Sequence, residues 1–196
     1  MKKKVREITD KVLVLKPFLK FLSEGRLFKL GFAWFLRILA AVFAIGFLVE
    51  WIGMWSDVFK MSGAMVLVLT IIMFLAVATA FGIINLVLVK ADEVAALPET
   101  KDYIVIPISV LFLKLIGEVS VFMCTLFGVS GFLVSLTKEG KMFLKMVPFF
   151  SGSGFEAGIT GLITALIVGF LSLFVWYLVA EQIGVLADIA RNTKKN

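Results

Sequence analysis

Histidine is absent from the 196-residue chain, and cysteine occurs once, at Cys124. The missing histidine excludes His-based catalytic triads, His proton relays and the usual haem and zinc ligand sets. A single cysteine cannot form an intrachain disulfide. Charge is scarce as well, at 17% of residues against about a quarter in soluble domains. No apolar run contains aspartate, so an intramembrane aspartyl dyad is excluded. We therefore expect a protein that is not an enzyme and has no metal or cofactor.

What the chain has in abundance is apolar sequence: 61% of residues are hydrophobic, and four long runs are predominantly apolar. A bilayer-spanning helix needs roughly 20 such residues, and in lipid a helix is the default because its backbone satisfies its own hydrogen bonds. The prediction is an all-α membrane protein, a four-transmembrane-helix bundle preceded by an amphipathic helix. The spans are expected at 32–54, at 63–89, within 103–136, and at 158–180, so that a bundle over 32–180 lies between segments 1–31 and 181–196.

The distribution of lysine and arginine predicts the orientation. Nine basic residues precede the first span, two lie in the second loop and three in the tail, against four in the first and third loops together. The positive-inside rule then places both termini in the cytoplasm. Trp51 and Trp55 fit an aromatic belt at the outer end of the first span. We expect a multi-pass protein of the cell membrane, specifically a bacterial inner membrane.

The segment 1–31 carries the excess of positive charge, with nine bases and three acids. Its apolar residues recur at helical spacing between the charges, at Val5, Ile8, Val12 and Leu15. This pattern is typical of a basic amphipathic helix that lies on the inner leaflet and is attracted by anionic lipid. The alternative is a cytoplasmic extension that packs on the bundle. Nucleic acid is not an expected partner, because the segment has no separate fold to present it.

Small residues indicate where the helices touch. They recur every four residues in the fourth and third spans, at Gly161, Ala165, Gly169, Ser120, Cys124 and Gly128. This spacing lets helix backbones approach in lipid, where no hydrophobic effect drives association. Two interpretations are open: packing within one bundle, or the interface of a homo-oligomer.

The third span holds two charged side chains, Lys114 and Glu118, which are four residues apart and share a helix face. Arg37, one or two turns inside the first span, is the expected partner of Glu118. These three residues are a candidate intramembrane charge cluster. If the span is 116–136, Lys114 lies near the interface and 103–113, bent by Pro107, runs along the surface. If it begins at 103, both charges reach the middle. Three roles for the cluster are open: an inner-leaflet salt-bridge cluster that fixes helix register, an ion or proton path, or the binding site of a partner protein.

The C-terminal stretch "YLVAEQIGVLADIARNTKKN" carries a family resemblance. It resembles the C-terminal signature of small bacterial membrane proteins grouped as domain of unknown function 4282, on the residues Glu181, Leu186, Ile189, Asn192 and Thr193. The position one turn before the Glu, often basic in that pattern, is Tyr177 here. The resemblance covers about 30 residues and implies no activity, because the family has none established.

Two functions remain from different classes. The first is a non-enzymatic membrane component, an accessory, scaffolding or assembly subunit that associates with itself or with another membrane protein. The alternative is a small ion channel or transporter. A channel requires polar faces on several spans, and the predicted spans offer few polar side chains.

Overall fold

A computed structural model describes residues 26–61, 63–98, 105–138, 140 and 158–193. These residues form four long helices: α1 (Arg26–Val58), α2 (Ala64–Ala96), α3 (Val105–Ser135) and α4 (Ile159–Thr193). Each is long and apolar enough to cross a membrane, and no strand occurs in the described ranges. The predicted all-α fold with four spanning helices is confirmed, and the chain is a multi-pass membrane protein. We call the end where α1 begins and α4 ends proximal, and the other end distal.

The ends of α2 follow from local sequence. Gly63 precedes it with φ at 65°, a left-handed conformation that glycine adopts without cost. Leu97 ends it with φ −55° and ψ 140°, the extended conformation preferred before a proline such as Pro98. The ammonium of Lys29 in α1 donates to the Leu97 carbonyl at 2.6 Å. A cation at the carbonyl end of a helix is favourable, so this contact also joins α1 to α2.

The third helix corrects one expectation. α3 is a continuous helix of 31 residues, and Pro107 lies in its first turn, where a missing N–H costs no intrahelical hydrogen bond. The interpretation in which Pro107 separates a surface segment from the span is therefore wrong for residues 105–113. Residues 103 and 104 lie outside the described residues.

The helices pack in chain order. α1 contacts α2, α2 contacts α3, and α4 lies along α3 with little contact to the other two. The larger buried cluster lies among α1, α2 and α3, and the smaller one near the distal end of α2 and α3. The larger comprises Ala33, Leu36, Ala40, Ile83, Val87, Ala91, Val94, Ile108 and Leu115; the smaller comprises Met65 and Val134.

The predicted segment boundaries fall inside helices. α1 starts at Arg26, before the boundary at 31, and residues 181–193 continue α4 without interruption. The amphipathic helix predicted for 1–31 lies outside the described residues up to position 25. The predicted boundaries at 31/32 and 180/181 therefore mark changes of composition along a continuous helix. They do not end the helix, because its backbone hydrogen bonds continue across them.

Candidate functional site

The densest group of charges lies at the proximal end of α2 and α3. Lys90 reaches three carboxylate oxygens: its Nζ is 3.3 Å from Oε1 and 3.1 Å from Oε2 of Glu93, one turn further along α2. It is also 3.5 Å from Oε1 of Glu118 in α3. The Lys90 side chain is only 11% exposed. A charge this well buried is tolerated because it is paired on two sides.

Glu118 connects this pair to α4. The Tyr177 hydroxyl donates to Oε1 of Glu118, the same oxygen that faces Lys90. The other oxygen, Oε2, is buried and has no hydrogen-bond partner in the described part of the chain. The ammonium of Lys114 lies 5.2 Å from the centre of the Tyr177 ring, a cation–π distance. We call Lys90, Glu93, Lys114, Glu118 and Tyr177 the proximal cluster; its two cations and two carboxylates balance.

The predicted pairing of Arg37 with Glu118 is wrong. Arg37 Nη2 lies 2.8 Å from Oδ1 of Asp92. Adjacent residues on a helix project about 100° apart, so Asp92 turns toward α1 whereas Glu93 approaches the side that faces α3. Lys114 and Glu118, which share a face of α3, form no ion pair with each other among the described residues. Tyr177 lies between them. Its hydroxyl donates a hydrogen bond to Glu118, and its ring contacts the ammonium of Lys114.

The cluster is separated from the distal helix ends by roughly the thickness of the hydrocarbon or more. From Glu118 to the end of α3 at Ser135 there are 17 residues, about 26 Å, and from Arg37 to Asp57 there are 20, about 30 Å. From Lys90 to the start of α2 at Ala64 there are 26 residues, about 39 Å. The hydrocarbon core of a bilayer is about 30 Å thick. The cluster therefore lies at one boundary of the hydrocarbon, and we call the intervening residues the apolar slab: 38–56, 64–89, 119–137 and 158–180.

Within that slab, α3 and α4 touch through small residues. A Cβ placed on Gly128 would lie 2.7 Å from Cβ of Ala165, and one on Gly169 would lie 3.0 Å from Cβ of Cys124. Gly161 of α4 is buried as well. In α3, the hydroxyl of Ser120 donates to the Ile116 carbonyl at 2.8 Å. The stripe is occupied within the chain, so these faces of α3 and α4 are not available to a second copy.

Several residues of the site were missed at the sequence level. Lys90 is assigned to a loop by a second span that ends at residue 89, and Asp92 and Glu93 are not singled out as site residues, although α2 continues to Ala96. The sequence does not indicate that Tyr177 contacts Glu118 and Lys114, because these contacts depend on the register between α3 and α4. Outside the proximal cluster, Glu50 of α1 also carries a sequence signal: it is a charged residue within an apolar run, the criterion that singles out Glu118.

No family model, no curated protein and no solved structure matches this chain. The C-terminal resemblance to the domain of unknown function 4282 family stays a prediction. In the described ranges no group of three or more His, Cys, Asp or Glu is placed to hold a metal ion. The proximal cluster contains ion pairs, a cation–π contact and one carboxylate oxygen without a partner among the described residues, an arrangement that can fix helix register.

Proposed function

We propose that the protein is a non-enzymatic component of a bacterial inner membrane, an accessory, scaffolding or assembly subunit with both termini in the cytoplasm. One observation carries the proposal: apart from Glu50 in α1, the charged side chains of the spans gather at the proximal end, where they contact one another or Tyr177. Among the residues that the structure describes, the rest of the apolar slab has no line of polar side chains between the helices, whereas transport of ions requires one.

The polar side chains near and inside the slab support this proposal. The Asn85 amide donates to the Phe81 carbonyl at 2.8 Å, and the Ser120 hydroxyl to that of Ile116 at 2.8 Å. Both are bonded within their own helices and do not line a path. At Gly128 and Ala165, where α3 and α4 approach each other so closely that an added Cβ would lie 2.7 Å from its neighbour, there is no room for water.

The outer surfaces favour contact with lipid and with other membrane proteins. α4 packs on α3 and leaves large apolar side chains uncovered, among them Phe170 at 66% and Phe174 at 58% exposed. The basic segment 1–31 adds an attraction to anionic lipid of the inner leaflet. The proposed partners are the bilayer, a further copy of this chain or another membrane protein, and not nucleic acid.

A small channel or transporter is the second candidate, and the buried, unpaired Oε2 of Glu118 favours it. A carboxylate with one free oxygen inside a membrane protein can take up and release a proton.

Flux across liposomes separates the two candidates. The full chain is reconstituted, and proton and potassium movement down an imposed gradient is compared with that in protein-free liposomes; an ionophore added last verifies that the gradient was held. We expect equal rates with and without protein. Flux in the wild type that disappears in Glu118→Gln would overturn the proposal in favour of a proton-coupled transporter.

A further inference from the structure

Glu50 is the one charged side chain in the described apolar slab. It lies in α1, 13 residues (about 20 Å) from Arg37 and 7 residues (about 10 Å) from Asp57. Arg37 and Glu50 are about 20 Å apart along the helix, which is less than the hydrocarbon thickness of about 30 Å, so they cannot lie on opposite sides of the hydrocarbon core. Arg37 is paired with Asp92, whereas Glu50 is exposed on the surface of α1 and has no ion pair or hydrogen bond in the described part of the molecule.

The neighbouring helix places Glu50 inside the hydrocarbon. Trp51, the next residue, donates to the carbonyl of Met73, at 3.3 Å. Met73 lies nine residues, about 13 Å, from the distal start of α2. Between those levels, Leu67 is 68% exposed and Ile71 48% exposed. This apolar surface requires lipid, so the hydrocarbon extends past Glu50 toward the distal end. Trp51 then lies deeper than the interface at which the sequence predicts an aromatic belt.

The face of α1 around Glu50 is shaped for a close neighbour. Gly46 and Gly53 lie four residues before and three after it, on the same side of the helix. A Cβ at either glycine would meet nothing within 4 Å. Packing among the described residues therefore does not require the glycines, and they leave a shallow notch on each side of the carboxyl group.

We propose that Gly46, Glu50 and Gly53 form the contact of α1 with α1 of a second copy, related by a two-fold axis along the membrane normal. Such an axis brings the two Glu50 side chains to the same depth. Two facing carboxylates in lipid share one proton, because both cannot ionise at close range. The glycine notches receive the side chains of the opposing helix and let the backbones approach. This contact specifies the self-association included in the proposed function and rests on it.

A second copy is the occupant that the geometry favours. A two-fold contact is self-complementary, so one patch meets itself, and Glu50 supplies both the donor and the acceptor of the shared proton. No described element packs on this face. The charged groups nearest to it toward the distal end are Asp57 and Lys60, which pair with each other at 2.7 Å.

Energy transfer between donor- and acceptor-labelled full-length chains in liposomes tests the contact. We expect transfer in the wild type and at least a fivefold weaker association for Gly46→Leu, because leucine fills the notch where a Cβ meets no described residue of the same chain within 4 Å. Ala41→Leu is the matched control, since Ala41 is an exposed small residue on another side of α1. Glu50→Gln should retain association, because two glutamine side chains form N–H···O=C hydrogen bonds without taking up a proton. Glu50→Leu should weaken association, because leucine has no hydrogen-bonding group. Raising the pH weakens the wild type and leaves Glu50→Gln unchanged.

Two results would overturn the inference. One is a wild-type chain that transfers no more energy than a dilution control, which would direct the search for the partner of Glu50 to a foreign helix with a basic residue. The other is an equal effect of Ala41→Leu and Gly46→Leu. The liposome flux experiment stays independent: a monomer without flux contradicts only the α1 contact, and flux contradicts the proposed function whether or not the chain dimerises.

Discussion

At the residue scale, Glu118 is the acceptor on which three helices converge. Its Oε1 takes the hydrogen bond of Tyr177 from α4 and faces Lys90 of α2. Lys114, four residues earlier, approaches only the Tyr177 ring. Removing the Glu118 charge therefore deprives a well-buried lysine of one partner. Removing Lys114 takes away a contact that leaves no charge stranded.

The stability of two variants should follow this order. We expect Glu118→Gln to lower the free energy of unfolding in detergent by about 1–2 kcal/mol, since membrane-protein hydrogen bonds and pairs measure below their ideal strength. Lys114→Gln should cost less than about 1 kcal/mol, the range of a cation–π contact at a partly exposed site. Tyr177→Phe is the control that removes the hydroxyl and keeps the ring. Equal losses for the Glu118 and Lys114 variants would contradict this account.

The site was predictable only in part at this scale. The sequence singles out Lys114 and Glu118 because they interrupt an apolar run, and α3 does place both in the cluster. It does not provide their partners, because pairing depends on which residues of α2 and α4 lie at the same level. Arg37 was assigned to Glu118 by depth alone, and Asp92 was nearer.

At the element scale, hydropathy locates the helices but not their ends. The predicted first span, 32–54, lies within the observed Arg26–Val58, and the fourth, 158–180, begins one residue before Ile159–Thr193 and ends well before it. Hydropathy marks the part of a helix that suits lipid, whereas the hydrogen-bonded backbone continues until a residue such as Gly63 or Leu97 changes its conformation. Charged residues that lie beyond the apolar part, such as Lys90 and Asp92 in α2, are therefore still helical and can contact neighbouring helices.

The α3–α4 contact predicts a swap between two residues. Gly128→Ala places a methyl group 2.7 Å from that of Ala165, so the helices must separate, and we expect a loss of about 1–3 kcal/mol, as for other overpacked contacts. Gly128→Ala combined with Ala165→Gly should recover most of the loss, because one methyl group remains in the contact.

The matched control for this swap is Gly31→Ala, where a Cβ meets nothing within 4 Å. Alanine there should be neutral or slightly stabilising, since it restricts the unfolded chain more than glycine does. Unfolding in a graded mixture of mild and denaturing detergents measures all of the variants. A double variant no more stable than Gly128→Ala alone would show that the two methyl groups do not compete for the same space.

At the scale of the whole molecule, the two ends of the bundle are held differently. The proximal end has polar ties between successive helices: Lys29 to Leu97, Arg37 to Asp92, Lys90 to Glu118, and Tyr177 to Glu118. Toward the distal end the ties between helices are mainly apolar, as between Met65 and Val134. Polar bonds concentrate where lipid gives way to the headgroups, because there a misplaced polar group is least costly.

The uneven distribution of lysine and arginine between the two ends of the bundle predicts how the chain crosses the membrane. If the proximal end faces the cytoplasm, a reporter active only in the cytoplasm should be active after Asn196 and after Pro98, behind four and two helices. It should be silent after Lys138, behind three. The physical reason is the excess of lysine and arginine on the proximal side, which translocates poorly. Immunoblots verify equal expression of the three fusions. Activity after Lys138 with silence after Asn196 would invert the orientation, and place the basic segment 1–31 away from the anionic leaflet that we propose it binds.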